Sequence, residues 1–85
     1  MRTDVNMERL MESLHRTGDI GKTENGGITR PGFSREYEMA SKELIAMMKE
    51  AGLTVSKDRV GNIIGRREGS RRGALSIMTG SHLDT

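Results

Sequence analysis

The pattern of apolar and polar residues in the first part of the chain predicts an amphipathic helix over residues 5–16. Four apolar side chains follow the spacing i, i+3, i+4, i+7 that places them on one helix face: Met7, Leu10, Met11 and Leu14. Asp4 or Thr3 could cap the start, and Gly18 favours an end. The sequence therefore predicts a first helix with one apolar stripe.

A second amphipathic pattern begins after Ser34 and ends at Gly52. Ser34 is a residue type that caps helices, and Glu36 and Glu38 suit the positive first turn. One face carries Tyr37, Ala40, Leu44, Met47, Met48 and Ala51. The pattern predicts a helix that begins after Ser34 and ends before Gly52.

Three later segments have the length and composition of strands. Residues 53–57 alternate apolar and polar positions, residues 63–67 follow a turn signal, and residues 74–79 are mostly apolar. A turn at Asp58-Arg59 with a bulge at Gly61-Asn62 would join the first two as a hairpin. Two helices followed by about three strands predict an α/β fold whose sheet is incomplete, because a buried central strand needs neighbours on both sides.

The segment between the helices, residues 18–32, contains five glycines and the single proline of the chain. Such a composition excludes regular structure over most of the segment. Loops of this length in small domains are usually disordered or functional. Residues near its two ends favour a loop with a function over a pure linker: Ile20, Ile28 and Thr29-Arg30.

Length and composition narrow the class of protein. The chain has 85 residues, enough for one domain at most, and its net charge is +2. It has few large apolar residues, and seven Met partly take the place of the missing Leu and Phe. It has no Cys, no apolar run of membrane-spanning length and no signal-peptide pattern at its start, which predicts a cytoplasmic protein without membrane contacts. The basic cluster around Arg66-Arg67 and Arg71-Arg72 lacks interleaved aromatic residues. It is interpreted as a solvated turn, and no nucleic-acid partner is expected.

His82 and Asp84 follow the last apolar segment, at the kind of position where α/β sheets present catalytic groups. Residues two apart in extended backbone point to the same side. Metal-bound His side chains usually donate their second ring N–H to a carboxylate or carbonyl, which Asp84 could supply. From spacing alone, a surface or structural role of His82 stays open, since metal sites need three or more ligands. His15, near the end of the first helix, is interpreted as a helix-terminal residue.

Four blocks in this order resemble a known enzyme family. They are the glycine-rich block 20–30, the helix 34–52, the block 60–66 and the block Thr79-Gly80-Ser81-His82-Leu83-Asp84-Thr85. Together they are similar to the amino-terminal part of the N-carbamoyl-L-amino-acid hydrolase and allantoate amidohydrolase family, which belongs to the aminoacylase and carboxypeptidase-like dinuclear metallohydrolases. The resemblance covers the chain from about Met7 to Thr85.

The resemblance implies a metal-dependent hydrolase acting on non-peptide carbon–nitrogen bonds of linear amides, with a small ureido or carbamoyl substrate. It implies that His82 binds one of two divalent metal ions (Zn, or Mn or Co) and that Asp84 orients His82. It further implies that residues 1–85 are the amino-terminal portion of a catalytic domain, and that complete relatives are homodimers.

Relatives carry a bridging Asp, a general-base Glu and further ligands in sequence beyond this chain, so the chain alone is expected to be an inactive fragment. The alternative is a small non-catalytic interaction domain that binds a partner through an exposed sheet edge or its Met-rich helix faces.

Overall fold

The computed structural model describes residues 4–85. Two helices precede a two-stranded antiparallel sheet: α1 (Met7–Gly18), α2 (Arg35–Glu50), β1 (Thr54–Lys57) and β2 (Ile63–Arg66). The expected α/β class with an open sheet is confirmed. No helix in residues 4–85 has the length and apolar character needed to cross a bilayer.

Helix α1 begins later than the sequence predicts, because Asn6 and not Asp4 caps it. The Asn6 side chain accepts a hydrogen bond from the Arg9 backbone N–H at 3.0 Å, which satisfies a donor that the helix leaves open. The other predicted cap, Thr3, lies outside the described residues. The apolar stripe faces solvent within the described chain, with Met7 63% and Leu14 56% exposed.

Helix α2 matches its prediction. Ser34 Oγ accepts from the Tyr37 backbone N–H at 3.1 Å, and Gly52 follows the helix with a φ of +85°. That left-handed conformation is accessible to glycine without strain, which explains why the helix stops there. Ala40 and Ser41 are buried on its inner face, and Glu43 pairs with Arg16 of α1.

The two strands form the predicted hairpin, with Thr54 opposite Arg66 and Lys57 opposite Ile63. The turn is held by the Gly61 N–H, which donates to the Asp58 carbonyl oxygen at 3.2 Å, and Gly61 has a φ of +90°. Residues 58–62 connect the two strands, and the left-handed Gly61 lies where the sequence predicts a bulge.

The third predicted strand, residues 74–79, is not formed in the described chain. A strand needs a partner to accept and donate its backbone hydrogen bonds, and none of the other segments in 4–85 runs alongside it. Its large apolar residues are almost fully exposed, with relative exposures of 96% for Leu75, 102% for Ile77 and 90% for Met78. Apolar composition alone therefore overpredicted this element, and the sheet has two strands.

Candidate functional site

The structure brings His82 and Asp84 together. His82 Nδ1 lies 2.9 Å from the backbone oxygen of Asp84 and 3.4 Å from its carboxylate Oδ1. Because a carbonyl oxygen can only accept a hydrogen bond, the shorter contact places the proton on Nδ1. In the neutral ring, Nε2 then carries the free lone pair.

A metal ion binds a neutral imidazole through the lone pair of one ring nitrogen, which Nε2 can supply here, while the hydrogen bond of Nδ1 fixes the orientation of the ring. The side chain of His82 is 80% exposed and that of Asp84 56%, so the pair is open to a ligand. The donor chemistry therefore fits one ligand of a metal site. Within residues 4–85, however, no three His, Asp or Glu side chains cluster closely enough to hold a metal on their own.

The predicted loop 18–32 is an ordered turn. An isolated antiparallel bridge joins Lys22 and Ile28, and the Thr23 N–H donates to the Gly27 carbonyl at 2.8 Å. The Thr29 N–H donates to the Gly21 carbonyl at 2.8 Å, where a Cβ on Gly21 would lie 2.5 Å from the Thr29 oxygen. Only glycine allows this close approach, so Gly21 permits the backbone of Thr29 to pack against the start of the turn.

Arg30 is a residue of the site region to which the sequence analysis gave no role. Its side chain is buried, with a relative exposure of 7%, and its Nε donates to the Leu83 carbonyl at 3.0 Å. Arg30 also exchanges two backbone hydrogen bonds with Thr85, at 2.6 and 2.9 Å. The sequence favours a functional loop that includes Thr29 and Arg30, but it carries no local signal for a contact between residues 53 positions apart.

The basic cluster is partly neutralised within the chain. Arg66 Nε lies 2.9 Å from Glu68 Oε1. This hydrogen bond raises the pKa of Arg66 and lowers the pKa of Glu68, each in the direction that favours the charged form. Both side chains are largely exposed, so the pair contributes little to stability.

Curated relatives match nearly the whole chain. It is 47% identical over 78 residues to the N-carbamoyl-L-amino acid amidohydrolase of Geobacillus stearothermophilus, covering 92% of this chain and 19% of the relative. It is 42% identical over 81 residues to the enzyme of that name from a Pseudomonas strain, covering 95% and 20%. The allantoate amidohydrolase of Bacillus subtilis is 37% identical over 65 residues, covering 76% and 16%.

A solved structure agrees with the sequence matches. The hydantoinase/carbamoylase family amidase of Burkholderia ambifaria superposes with a TM-score of 0.91 at 35% identity, covering 96% of this chain and 20% of that one. No family model matches the chain. The chain spans about one fifth of the length of these relatives. In sequence and in fold, it is homologous to a segment of the N-carbamoyl-L-amino-acid and allantoate amidohydrolase family.

Proposed function

We propose that residues 1–85 are the amino-terminal portion of the catalytic domain of a metal-dependent hydrolase that cleaves a carbon–nitrogen bond of an N-carbamoyl amino acid or of allantoate. The names of the relatives support this substrate class, since the chain is 47% and 42% identical to two N-carbamoyl-L-amino acid amidohydrolases. The observation that carries the proposal is the His82–Asp84 pair, whose Nδ1 contact leaves Nε2 free for a metal ion.

In this proposal, His82 supplies one ligand to a divalent metal ion, and Asp84 orients the ring. The metal ion, when bound, would activate a water molecule and polarise the scissile carbonyl group. Zn is the first candidate, with Mn or Co as alternatives, and a second ion is expected in the same site. Additional ligands are required, because one imidazole with one nearby carboxylate does not hold a divalent ion tightly.

The Asp84 backbone oxygen and the Asp84 carboxylate perform different tasks. The backbone oxygen fixes the ring tautomer at 2.9 Å, whereas the carboxylate oxygen at 3.4 Å adds negative charge beside the ring. That charge makes the imidazole a better donor to a cation. An Asp84→Asn variant would keep the first contribution and remove the second.

Zinc titration of the 85-residue chain, followed through the ring signals of both His residues by NMR, tests the metal role. We expect Zn²⁺ to shift the His82 ring with only weak, millimolar affinity, because one imidazole falls short of the set of ligands that binds zinc tightly. Asp84→Asn should weaken this binding about tenfold, because the charge beside the ring is lost. His15 serves as an internal reference that should respond less.

Two results would contradict the metal role. One is an unperturbed His82 ring at saturating Zn²⁺. The other is a tight stoichiometric complex that survives His82→Ala and instead depends on His15 or Glu24, which would identify a different set of ligands.

The alternative, a non-catalytic interaction domain, is favoured by the exposure of Leu75, Ile77 and Met78 and by the open edges of the hairpin. A partner bound there would be insensitive to His82→Ala and to Zn²⁺. The zinc titration therefore separates the two functions. Homodimerisation and a cytoplasmic location stay predictions of the sequence analysis.

A further inference from the structure

Arg30 is buried although it is charged. Its exposure is 7%, and the other buried residues described between positions 4 and 85 are Ala40 and Ser41. A buried guanidinium group costs free energy unless protein acceptors replace the water that it loses. Three backbone carbonyl groups, of Thr17, Ile20 and Leu83, accept hydrogen bonds from the Arg30 side chain.

Two of the acceptors lie where α1 ends. Arg30 Nη1 donates to the Thr17 carbonyl at 2.6 Å and to the Ile20 carbonyl at 3.0 Å. The carbonyl groups at the C-terminal end of a helix lack partners within the helix and carry partial negative charge. The Thr17 carbonyl, in the last turn of α1, therefore compensates part of the positive charge of Arg30, and the Ile20 carbonyl, just beyond the helix, provides a second acceptor.

The third acceptor belongs to the segment that carries the candidate metal ligand. Arg30 Nε donates to the carbonyl of Leu83, the residue between His82 and Asp84. The Arg30 backbone pairs with Thr85 in both directions, at 2.6 and 2.9 Å. Side chain and backbone of a single residue thus hold the chain on both sides of Asp84.

The glycine turn holds Arg30 in place from the other direction. The Thr29 N–H donates to the Gly21 carbonyl at 2.8 Å, which aligns the residue before Arg30 with the start of the turn. The turn, the end of α1 and the His82 segment therefore meet at one side chain.

We propose that Arg30 is a positioning residue for the candidate metal site: it anchors the backbone at Leu83 and Thr85 and thereby holds His82 and Asp84 in their paired geometry. The proposal rests on the proposed function in taking His82 as a metal ligand. A lysine could not replace Arg30 fully, because one ammonium group cannot present the guanidinium's separate Nε and Nη1 donors to carbonyl groups on two segments.

The test uses the 85-residue chain with Arg30→Met, which keeps the apolar stem and removes the donors, and Arg30→Lys. Amide hydrogen exchange reports the bond from the Thr85 N–H to the Arg30 carbonyl, and ring ¹⁵N shifts report the His82 tautomer. The matched control is Arg16→Met. Like Arg30→Met, this variant removes one positive charge near the C-terminal end of α1. Arg16, however, lies in the last turn of the helix and is paired with Glu43, so only that ion pair is broken.

We expect Arg30→Met to raise Thr85 amide exchange at least about tenfold and to remove the preference of His82 for the Nδ1–H tautomer, with α2 amides changed less than about twofold. Arg30→Lys should restore the Thr85 protection only partly. Arg16→Met should leave both readouts as in the unmodified chain.

Three results would overturn the proposal. The first is an unprotected Thr85 amide in the unmodified chain, and the second is unchanged Thr85 and His82 readouts in Arg30→Met. The third applies if Arg30→Met unfolds the whole chain. If Arg30→Lys then has the α2 protection, Thr85 protection and His82 tautomer of the unmodified chain, the stem and charge of Arg30 are sufficient and its separate donors are not needed. Partial restoration, with α2 protected and His82 still released, supports the positioning role.

Zinc separates this proposal from the proposed function. If Zn²⁺ does not shift His82 in the unmodified chain but Arg30→Met releases Thr85 and His82, the metal role fails and the anchoring role stands. If Zn²⁺ binds His82 equally well in the unmodified chain and in Arg30→Met, the metal role stands and the positioning role fails.

Discussion

At the scale of single residues, the region around His82 depends on close backbone approaches that only certain residue types permit. Gly21 and Gly26 both have positive φ angles, +85° and +83°. Their surroundings differ, because a Cβ at Gly21 would collide with the Thr29 oxygen, whereas nothing lies within 4 Å of a Cβ at Gly26. Substituting these two glycines therefore separates the cost of a left-handed backbone from the cost of a steric clash at Cβ.

We expect Gly26→Ala to lower the free energy of unfolding by about 1 kcal/mol, the cost of a left-handed alanine. Gly21→Ala should cost at least about 2 kcal/mol, because the same strain is joined by a contact of 2.5 Å that must be relieved. Urea unfolding of the two variants measures the difference. It should be accompanied by faster Thr29 amide exchange in Gly21→Ala only, and equal losses in both variants would show that the crowding is relieved without cost.

Arg30 also shows the limit of what can be predicted from the sequence for a single residue. His82 and Asp84 were identifiable because their spacing is local, and the structure pairs them. Arg30 was not identifiable as the residue that holds them, since its acceptors at Thr17 and Leu83 are 13 and 53 residues away. No local pattern encodes such a contact.

At the scale of elements, predictions succeeded where the controlling contacts are short-range. The Ser34 cap, the Gly52 stop and the bulge at Gly61 involve neighbours along the chain, and all were predicted. The predicted start of α1 is wrong because Thr3, Asp4 and Asn6 are all residue types that cap helices, and it is Asn6 that makes the hydrogen bond. The strand predicted at 74–79 failed because a strand depends on a partner.

The hairpin turn predicts a pH dependence of its own. The Asn62 side chain and the backbone N–H groups of Asn62 and Val60 donate to the Asp58 carboxylate and lower its pKa. A carboxyl group with a lowered pKa stabilises the folded form above its unfolded pKa of about 3.9, and that stabilisation is lost as the pH falls through the folded pKa. The turn should therefore loosen below about pH 4.

The measurement follows the Asn62 backbone amide shift by NMR from about pH 7 to pH 2, across the aspartate range. We expect a transition with its midpoint below the ordinary Asp value. Asp58→Asn keeps an oxygen acceptor but cannot ionise, so its Asn62 amide should show no such transition. A midpoint at or above the ordinary value in the unmodified chain would contradict the assigned hydrogen bonds.

At the scale of the whole molecule, the described chain is extended and thinly packed. Its radius of gyration is 14.9 Å, whereas a compact domain of this length would have one of about 12 Å. Among residues 4–85, Ala40 is the single apolar residue that is buried. Hydrophobic burial, the main stabilising contribution in folded domains, is correspondingly small.

We therefore expect the 85-residue chain to unfold over a broad temperature range and to bind an apolar dye before heating, through residues such as Leu75, Ile77 and Met78. Differential scanning calorimetry measures the transition. A sharp transition whose calorimetric and van't Hoff enthalpies agree, from a monomer without dye binding, would contradict this expectation and would require a larger core than the described packing.

The bond from Arg30 to the Leu83 carbonyl also sets an order of assembly. It joins residues 53 positions apart, and closing a loop of that length costs about 3.5 kcal/mol of chain entropy before the constant shared by all loops. Helix α2 and the hairpin form through near neighbours and avoid most of this cost. The His82 segment should therefore dock last on folding and detach first on heating, with its ring signals changing below the temperature at which the helical signal is lost. The paired geometry of His82 and Asp84, the candidate metal site, would then be the last feature of the described chain to assemble and the first to be lost.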